Sequence, residues 1–331
     1  MHVPDHFLDP AVSLATTALA ATGVAVAAWQ AQDGRSRGDL GLGAAVTGFV
    51  FAAQMVNYAV LPSTSGHLMG GALAAALLGP WRAVVSVTIV LVVQCLVFAD
   101  GGLGALGTNV VLMALVGVGC STAVMRLVDR AAGRPAPRLG AGLGALVSVP
   151  AAALVFCGLY LAGGATPVPA GDLLGSMIGV HALIGLGEAV VTVAVLSMVM
   201  ALAPGLAAGD ERALVAASRP RGVLGLAVAG LACAAVLSGV ASSAPDGLES
   251  VALAHSFADV AGTHPFAGSV LADYGGSAGL PAGPVGVLGW VLTGAVAGLL
   301  PAVLARSRAA AGPAGSFPVH RSKDHRAPDT P

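Results

Sequence analysis

Apolar runs of about 20 residues recur along this chain, and each can cross a hydrocarbon core of roughly 30 Å as a helix rising about 1.5 Å per residue. Nine candidates occur, near residues 11–31, 40–61, 66–79, 83–99, 103–125, 139–161, 173–203, 223–240 and 285–305. Composition agrees: 56% of the 331 residues are hydrophobic and 9% charged, too few charges to cover a water-exposed surface of that size. The expected fold is an all-α integral membrane protein of about nine transmembrane helices. The third candidate is short for a full crossing. The seventh is long enough to hold a kink or an interfacial turn.

Small residues let membrane helices approach closely, and Gly140/Gly144 and Gly294/Gly298 have the small-xxx-small spacing. Cys95, Cys120, Cys157 and Cys233 all fall in apolar runs without a CxxC spacing, which reads as packing rather than as a disulfide framework. No Lys or Arg precedes the first apolar run, so that run is expected to be a retained span and not a cleavable signal.

Basic residues set the orientation. With the first residue outside, nine crossings leave Arg35, Arg37, Arg82, the Arg126–Arg138 group, the Arg212–Arg221 group and the tail from Arg306 onward on the inner side, which accounts for all 15 Lys and Arg. The positive-inside rule therefore gives an outer N-terminus and a cytoplasmic C-terminus. The apolar pattern breaks near 204–222, at Pro204, Asp210, Glu211, Arg212, Arg219 and Arg221. Residues 1–215 form a seven-helix membrane domain on this reading, and 220–306 a two-helix domain. The two helices of the second domain flank an outer loop, 241–284, that is too long for a tight connection and carries Asp246, Glu249, Asp259 and Asp273 but no basic residue. The tail 309–331, with its Pro, Ser and Arg, is expected to be disordered.

Three features can carry chemistry. A chain starting Met1-His2 offers the α-amine, the amide nitrogen of His2 and its imidazole, which together close two small chelate rings around one ion. Such a planar nitrogen set suits Ni(II), Cu(II) or Co(II). The bulk of His2 should keep Met1 in place, and Pro4 restricts the swing of the first residues. His67, in Pro62-Ser63-Thr64-Ser65-Gly66-His67, falls on the same outer side. It is either a hydrogen-bonded interfacial residue or the fourth nitrogen of that plane. His181 precedes Glu188 by seven residues, two helical turns along one face. Ionisable groups inside a membrane face the bundle interior, so this pair is either a structural tie, a transit ligand or part of a conformational device. Gln54, Asn57, Gln94 and Asn109 can supply similar polar ties.

Other chemistries lack their motifs. The sequence has no GxxxxGK[ST] run, and its single lysine, Lys323, lies in the tail, so ATP hydrolysis must come from elsewhere. HExxH and GxSxG are absent, as are basic-aromatic nucleic-acid signatures.

The start Met1-His2-Val3-Pro4-Asp5-His6-Phe7-Leu8, the segment Ser65-Gly66-His67-Leu68-Met69-Gly70-Gly71 and the run Phe98-Ala99-Asp100-Gly101-Gly102 resemble the CbiM/NikM family. Its members are substrate-specific components of energy-coupling-factor cobalt and nickel transporters. His181-Ala182-Leu183-Ile184-Gly185 with Glu188-Ala189 is similar to that family's seventh helix, and Pro245-Asp246-Gly247-Leu248-Glu249 to the PDGLE signature of the CbiN/NikN small subunit. The resemblance implies a fusion of the two parts, with metal held by Met1, His2 and His67. It implies multi-pass insertion in the plasma membrane of a prokaryote, with partners consisting of a CbiQ/NikQ-like transmembrane coupling protein and CbiO/NikO-like ATPases. The chain would need no cofactor of its own; Co²⁺ or Ni²⁺ is cargo, and the 241–284 loop a lid, with His255 and His264 as optional donors. One departure is His6, where the family usually has glycine; a further imidazole there could serve as an outer or competing ligand.

Two rivals differ in class: a secondary permease, and a membrane-embedded enzyme using His181 and Glu188 as an acid/base pair. For the topology, a cysteine placed in the 241–284 loop should react with an impermeant thiol reagent in intact cells. Labelling only after lysis would overturn the orientation.

Overall fold

The computed structural model describes residues 1–31, 37–202 and 220–310. The break near 204–222 expected between two domains, and the tail beyond 310, therefore lie largely outside the described residues. Ten helices and one hairpin follow in order: α1 Pro10–Gln30, α2 Arg37–Gln54, β1 Tyr58–Leu61, β2 Thr64–Gly66, α3 Gly71–Leu78, α4 Pro80–Phe98, α5 Leu106–Ala132, α6 Pro137–Gly163, α7 Ala170–Leu202, α8 Pro220–Ala235, α9 Gly247–Ala254 and α10 Ala282–Ala310.

Where nine spans are expected, seven helical segments among the described residues are long and apolar enough to cross a membrane: α1, α4, α5, α6, α7, α8 extended by a 3₁₀ turn to Val240, and α10. The apolar part of α2, Leu40–Gln54, is shorter. The eight residues of α3 rise only about 12 Å, so α3 alone cannot span. The second expected span, 40–61, is helical only to Gln54; its last four residues form β1, paired antiparallel with β2 across Pro62 and Ser63. A proline lacks the N–H a continuing helix needs, and the strand pairing supplies the backbone with partners instead. Helix α7 runs through 33 residues as one helix, without the kink its length allowed. Within α5, residues Val110–Val116 widen into a π-helix directly after Asn109. The expected 241–284 loop is itself structured, containing α9 and two 3₁₀ turns.

Both glycine pairs lie at helix crossings. A Cβ on Gly144 would stand 3.0 Å from the Ser121 carbonyl of α5, and one on Gly140 3.3 Å from the Met125 backbone. Gly294 and Gly298 of α10 face Ala44 of α2. All four cysteines are free.

Backbone hydrogen bonds from Ser65 to Pro245, from Gly102 to Val3, from Ala165 to Phe7 and from Gly262 to Asp5 join the loops after α2, α4, α6 and α8 with the first residues at one end of the bundle. Arg82, Arg126, Arg130, Arg134, Arg138 and Arg221 are at the opposite helix ends. The chain from Thr64 to Gly70 descends without helical structure to the middle of α7. There the buried Glu188 carboxylate accepts hydrogen bonds from the backbone N–H of Met69 (2.8 Å) and of Gly70 (3.0 Å). Non-helical backbone at membrane depth survives only where protein groups satisfy it. A carboxylate at the start of α3 also opposes the positive end of its dipole. Gly70, at φ 78°, makes the turn into α3 that a side chain would disfavour. Glu188→Ala would leave two buried amides unpaired and should cost about 3 kcal/mol, seen as a lower melting temperature in detergent, with Glu188→Gln losing less. An unchanged melting temperature in Glu188→Ala would refute this capping role.

Candidate metal centre

The first eight residues are inserted into the open end of the bundle. Val3 is fully buried; its N–H donates to Asn109 Oδ1 at 2.7 Å, and its carbonyl accepts from Asn109 Nδ2 at 3.1 Å and Gly102 N at 2.9 Å. The Asp5 carboxylate accepts from the N–H groups of Leu103, Gly104 and Ala105, which turns the α4–α5 connection around it. Phe7 and Leu8 tie to Ala165 and Gly164 after α6. Even the Met1 side chain is buried in the core, so residue 1 is gripped at both its amine and its thioether.

This threading brings the N-terminal amine to His67. The amine nitrogen is 2.6 Å from His67 Nε2 and 3.1 Å from Asp246 Oδ2, and His67 Nε2 is 3.7 Å from the same carboxylate oxygen. His67 is 5% exposed, and its Nδ1 is 3.0 Å from the Leu68 carbonyl. A carbonyl only accepts, so Nδ1 carries the proton and Nε2 presents its lone pair to the amine. The His2 ring stacks on that of His67 at 5.1 Å, with its Nε2 3.2 Å from Gln94 Oε1 and its Nδ1 3.4 Å from Asp100 Oδ1. Burial pushes the His2 imidazole down to about 4 against the opposing pull of Asp100, leaving the ring neutral at physiological pH. Burial would raise the Asp246 carboxyl, but the N-terminal ammonium overcomes it and holds it well below the usual carboxylate range.

Asp246 reaches the centre because its segment is stitched to the β-hairpin. Ser65 N–H donates to the Pro245 carbonyl at 2.9 Å, Ser65 Oγ donates to the Ala244 carbonyl at 2.7 Å, and Thr64 and Ser250 share a hydroxyl bond. Asp246 also caps α9, its Oδ1 accepting from Glu249 N–H. Between this segment and the bundle lies a cavity of about 670 Å³, bordered by His2, His67, Asp100, Asp246, His264 and Tyr274.

Of the residues the sequence singles out, Met1, His2 and His67 converge. His181 borders a second, smaller cavity beside Met1 and His67. Glu188 does not join them; both its oxygens are taken by backbone amides. His6 is exposed and lies against Gly262, outside the residues lining either cavity. His255 bonds Ser176 on α7, and His264 lies 3.6 Å from Cys95. The polar ties prove more local to the centre than helix-to-helix bonds would be: Asn109 holds Val3, Gln94 meets His2, and Gln54 donates to the Met69 carbonyl. Sequence reasoning missed Asp246 and Asp100 as neighbours of the donors, although both sit in the motifs that carry the family resemblance. Among the described residues no three His, Cys, Asp or Glu side chains form a metal site, so a cation held here would need main-chain nitrogen.

Comparison with known proteins agrees in kind. A family model described as "Cobalt uptake substrate-specific transmembrane region" (CbiM) matches residues 2–206, and a PDGLE domain model matches residues 221–306. A candidate fused nickel transport protein, NikMN, of Archaeoglobus fulgidus is 35% identical over 209 residues, covering 62% of this chain and 67% of that protein. A candidate metal transport protein of Haloquadratum walsbyi is 36% identical over 209 residues, 62% of this chain and 93% of that one. A crystal structure titled as a transition metal transporter superposes with a TM-score of 0.57 at 26% identity, over 67% of this chain and all of the other.

His6 has φ 71°, the left-handed region that favours glycine, which gives a physical reason for glycine at this position in the resembled family. His6→Gly should therefore raise stability by up to about 1 kcal/mol, seen as a higher melting temperature in detergent. A lower melting temperature would show that the imidazole itself is used.

Proposed function

Because the chain belongs to the CbiM family of cobalt-uptake substrate-specific transmembrane proteins, with a PDGLE domain in the same polypeptide, we propose that it captures Co²⁺ or Ni²⁺ for an energy-coupled importer. The observation that carries this reading is the buried N-terminal amine, 2.6 Å from His67 Nε2. Two nitrogens bound at right angles to one ion, each about 2 Å from it, stand about 2.8 Å apart. The amine and His67 therefore already have nearly the separation of adjacent ligands. The His2 amide nitrogen and imidazole complete the plane; with Gln94 Oε1 accepting from His2 Nε2–H, Nδ1 carries the lone pair and would turn from Asp100 to the ion. Loading then requires one proton to leave the amine and another the His2 amide nitrogen, so affinity rises with pH.

Membrane transport of a transition metal is the common character of the relatives; the role within an importer is our extension. The first residue faces outward and the Arg-bearing helix ends face the cytoplasm. The PDGLE segment, tied to the β-hairpin and holding Asp246 against the amine, acts as a lid over the site. Release inward depends on a CbiQ/NikQ-like coupling protein and CbiO/NikO-like ATPases. An acid/base enzyme is disfavoured because Glu188 is buried on the amides of Met69 and Gly70 and lines neither cavity. Cobalt and nickel both accept four nitrogens, so the donor set does not choose between them.

Adding two residues before Met1 converts the amine to an amide, a much poorer donor. Co²⁺ or Ni²⁺ affinity of the folded, extended protein should fall at least about 100-fold, equivalent to roughly 2.7 kcal/mol. Unchanged affinity would sink the assignment of the amine as a ligand.

A further inference from the structure

Two of the donors proposed above, the Met1 amine and the His2 amide nitrogen, belong to the main chain, and neither residue lies in a helix or strand. Their placement therefore falls to whatever fixes the backbone beside them. Val3, the next residue, is fully buried, and one side chain meets both of its polar backbone groups. Its N–H donates to Asn109 Oδ1 at 2.7 Å, and its carbonyl accepts from Asn109 Nδ2 at 3.1 Å. The Asn109 amide thus pairs with Val3 as the peptide of a neighbouring strand would.

Asn109 is itself held. Thr108 Oγ1 lies 2.8 Å from Thr16 Oγ1 of α1, and a Cβ on Gly107 would stand 2.4 Å from Thr17 Cα. The first nine residues lead directly into α1, so the chain closes a ring in which α1 fixes α5 and α5 returns an amide to residue 3. Gly101, at φ 78°, leaves space for that amide beside His2: a Cβ on it would lie 2.8 Å from Asn109 Nδ2 and 3.5 Å from His2 Cβ. Directly after Asn109 the helix widens into the π segment Val110–Val116. One extra residue in a turn rotates the faces on either side of it by about 100° relative to each other. Thr108 and Asn109 can thus face α1 and the chain start while Gly117 and Ser121 of the same helix pack on Gly71 and Gly144.

We propose that Asn109 is a positioning residue of the candidate metal centre: its amide sets where the Met1 amine and the His2 peptide nitrogen stand, and cation affinity depends on it without its touching the cation. This inference rests on the metal-capture reading above and adds a residue that acts through Val3. Without the amide, Val3 keeps the Gly102 N–H on its carbonyl, but its own N–H is left buried without a partner. The first residues are then free to spread the donors over many arrangements.

Lys323 is the single lysine, so in a Lys323→Arg background an amine-reactive ester reports on the Met1 amine alone. In the metal-free, full-length protein in detergent, Asn109→Ala should raise the labelling rate by at least about tenfold. It should also lower Co²⁺ affinity by at least about tenfold, the change that losing a buried hydrogen bond brings. The visible spectrum of bound Co²⁺ should change as well, which a general loss of stability would not produce. Gly144→Ala, at the α5–α6 crossing, is the control: it should lower the melting temperature and leave labelling, affinity and spectrum as they are. Asn109→Ser, too short to reach Val3, gives the same readings if Asn109→Ala does not fold. Unchanged labelling or unchanged Co²⁺ affinity in a folded Asn109 variant would overturn the positioning role, and so would equal labelling gains in Asn109→Ala and Gly144→Ala. Labelling needs no metal, so an unaltered chain that binds neither Co²⁺ nor Ni²⁺ overturns the capture reading alone and leaves the labelling rates to decide Asn109.

Discussion

A charged amine buried at the N-terminus is the constraint around which the rest of this molecule is arranged. Taking an ammonium out of water is costly unless a counter-charge and hydrogen bonds meet it, and removing the partner of such a pair typically costs about 3–5 kcal/mol. Here the partner is Asp246, and the acceptor is His67. Each reaches the amine by a different route. The chain start is clamped by Asn109 and Gly102, His67 follows a strand, and Asp246 caps a short helix between α8 and α10. No one of these routes fixes the centre alone. A divalent cation bound by the deprotonated amine would take over the ammonium's role opposite Asp246, so the same carboxylate suits the empty and the loaded state.

The second constraint is lipid. Backbone that leaves the helix inside a bilayer must find every partner within the protein. The segment from Thr64 to Gly70 does so by pairing with Tyr58–Leu61, by bonding the PDGLE segment through Ser65, and by ending on Glu188. This explains why α3 is short: its first turns are given up so that His67 can present its ring, and a carboxylate from α7 replaces the missing helical turn. The buried Glu188 carboxylate is thus tied to the segment that carries His67 without joining the candidate centre.

Much of the candidate site was legible in the chain. Met1, His2 and His67 were chosen for their donor chemistry and side of the membrane, and the fold brings them together. The glycine pairs found by spacing lie at helix crossings. Less legible was anything decided by contacts distant in sequence. Asp246 was read as one of four loop acids, because nothing local distinguishes a helix-capping aspartate from one that also meets an amine 245 residues away. His6 reads as a possible ligand in the sequence because its imidazole is visible there while its backbone angle, φ 71°, is not.

By itself the sequence determined the class of solvent, the helical architecture, the gathering of arginines at one set of helix ends and which residues are offered as candidate donors. Those properties depend on composition, on periodicity and on the order of apolar and basic segments, which are local or cumulative along the chain. Only the tertiary structure decided where helices stop. Tyr58–Leu61 is as apolar as a membrane helix and became a strand because Thr64–Gly66 lies beside it, and the run beginning at Gly66 became helical only from Gly71 because Glu188 holds the backbone before it. Hydrophobicity dictates that a segment enter the bilayer; which backbone form it takes there depends on which hydrogen-bond partners other segments supply, and that is settled only when the chain is packed.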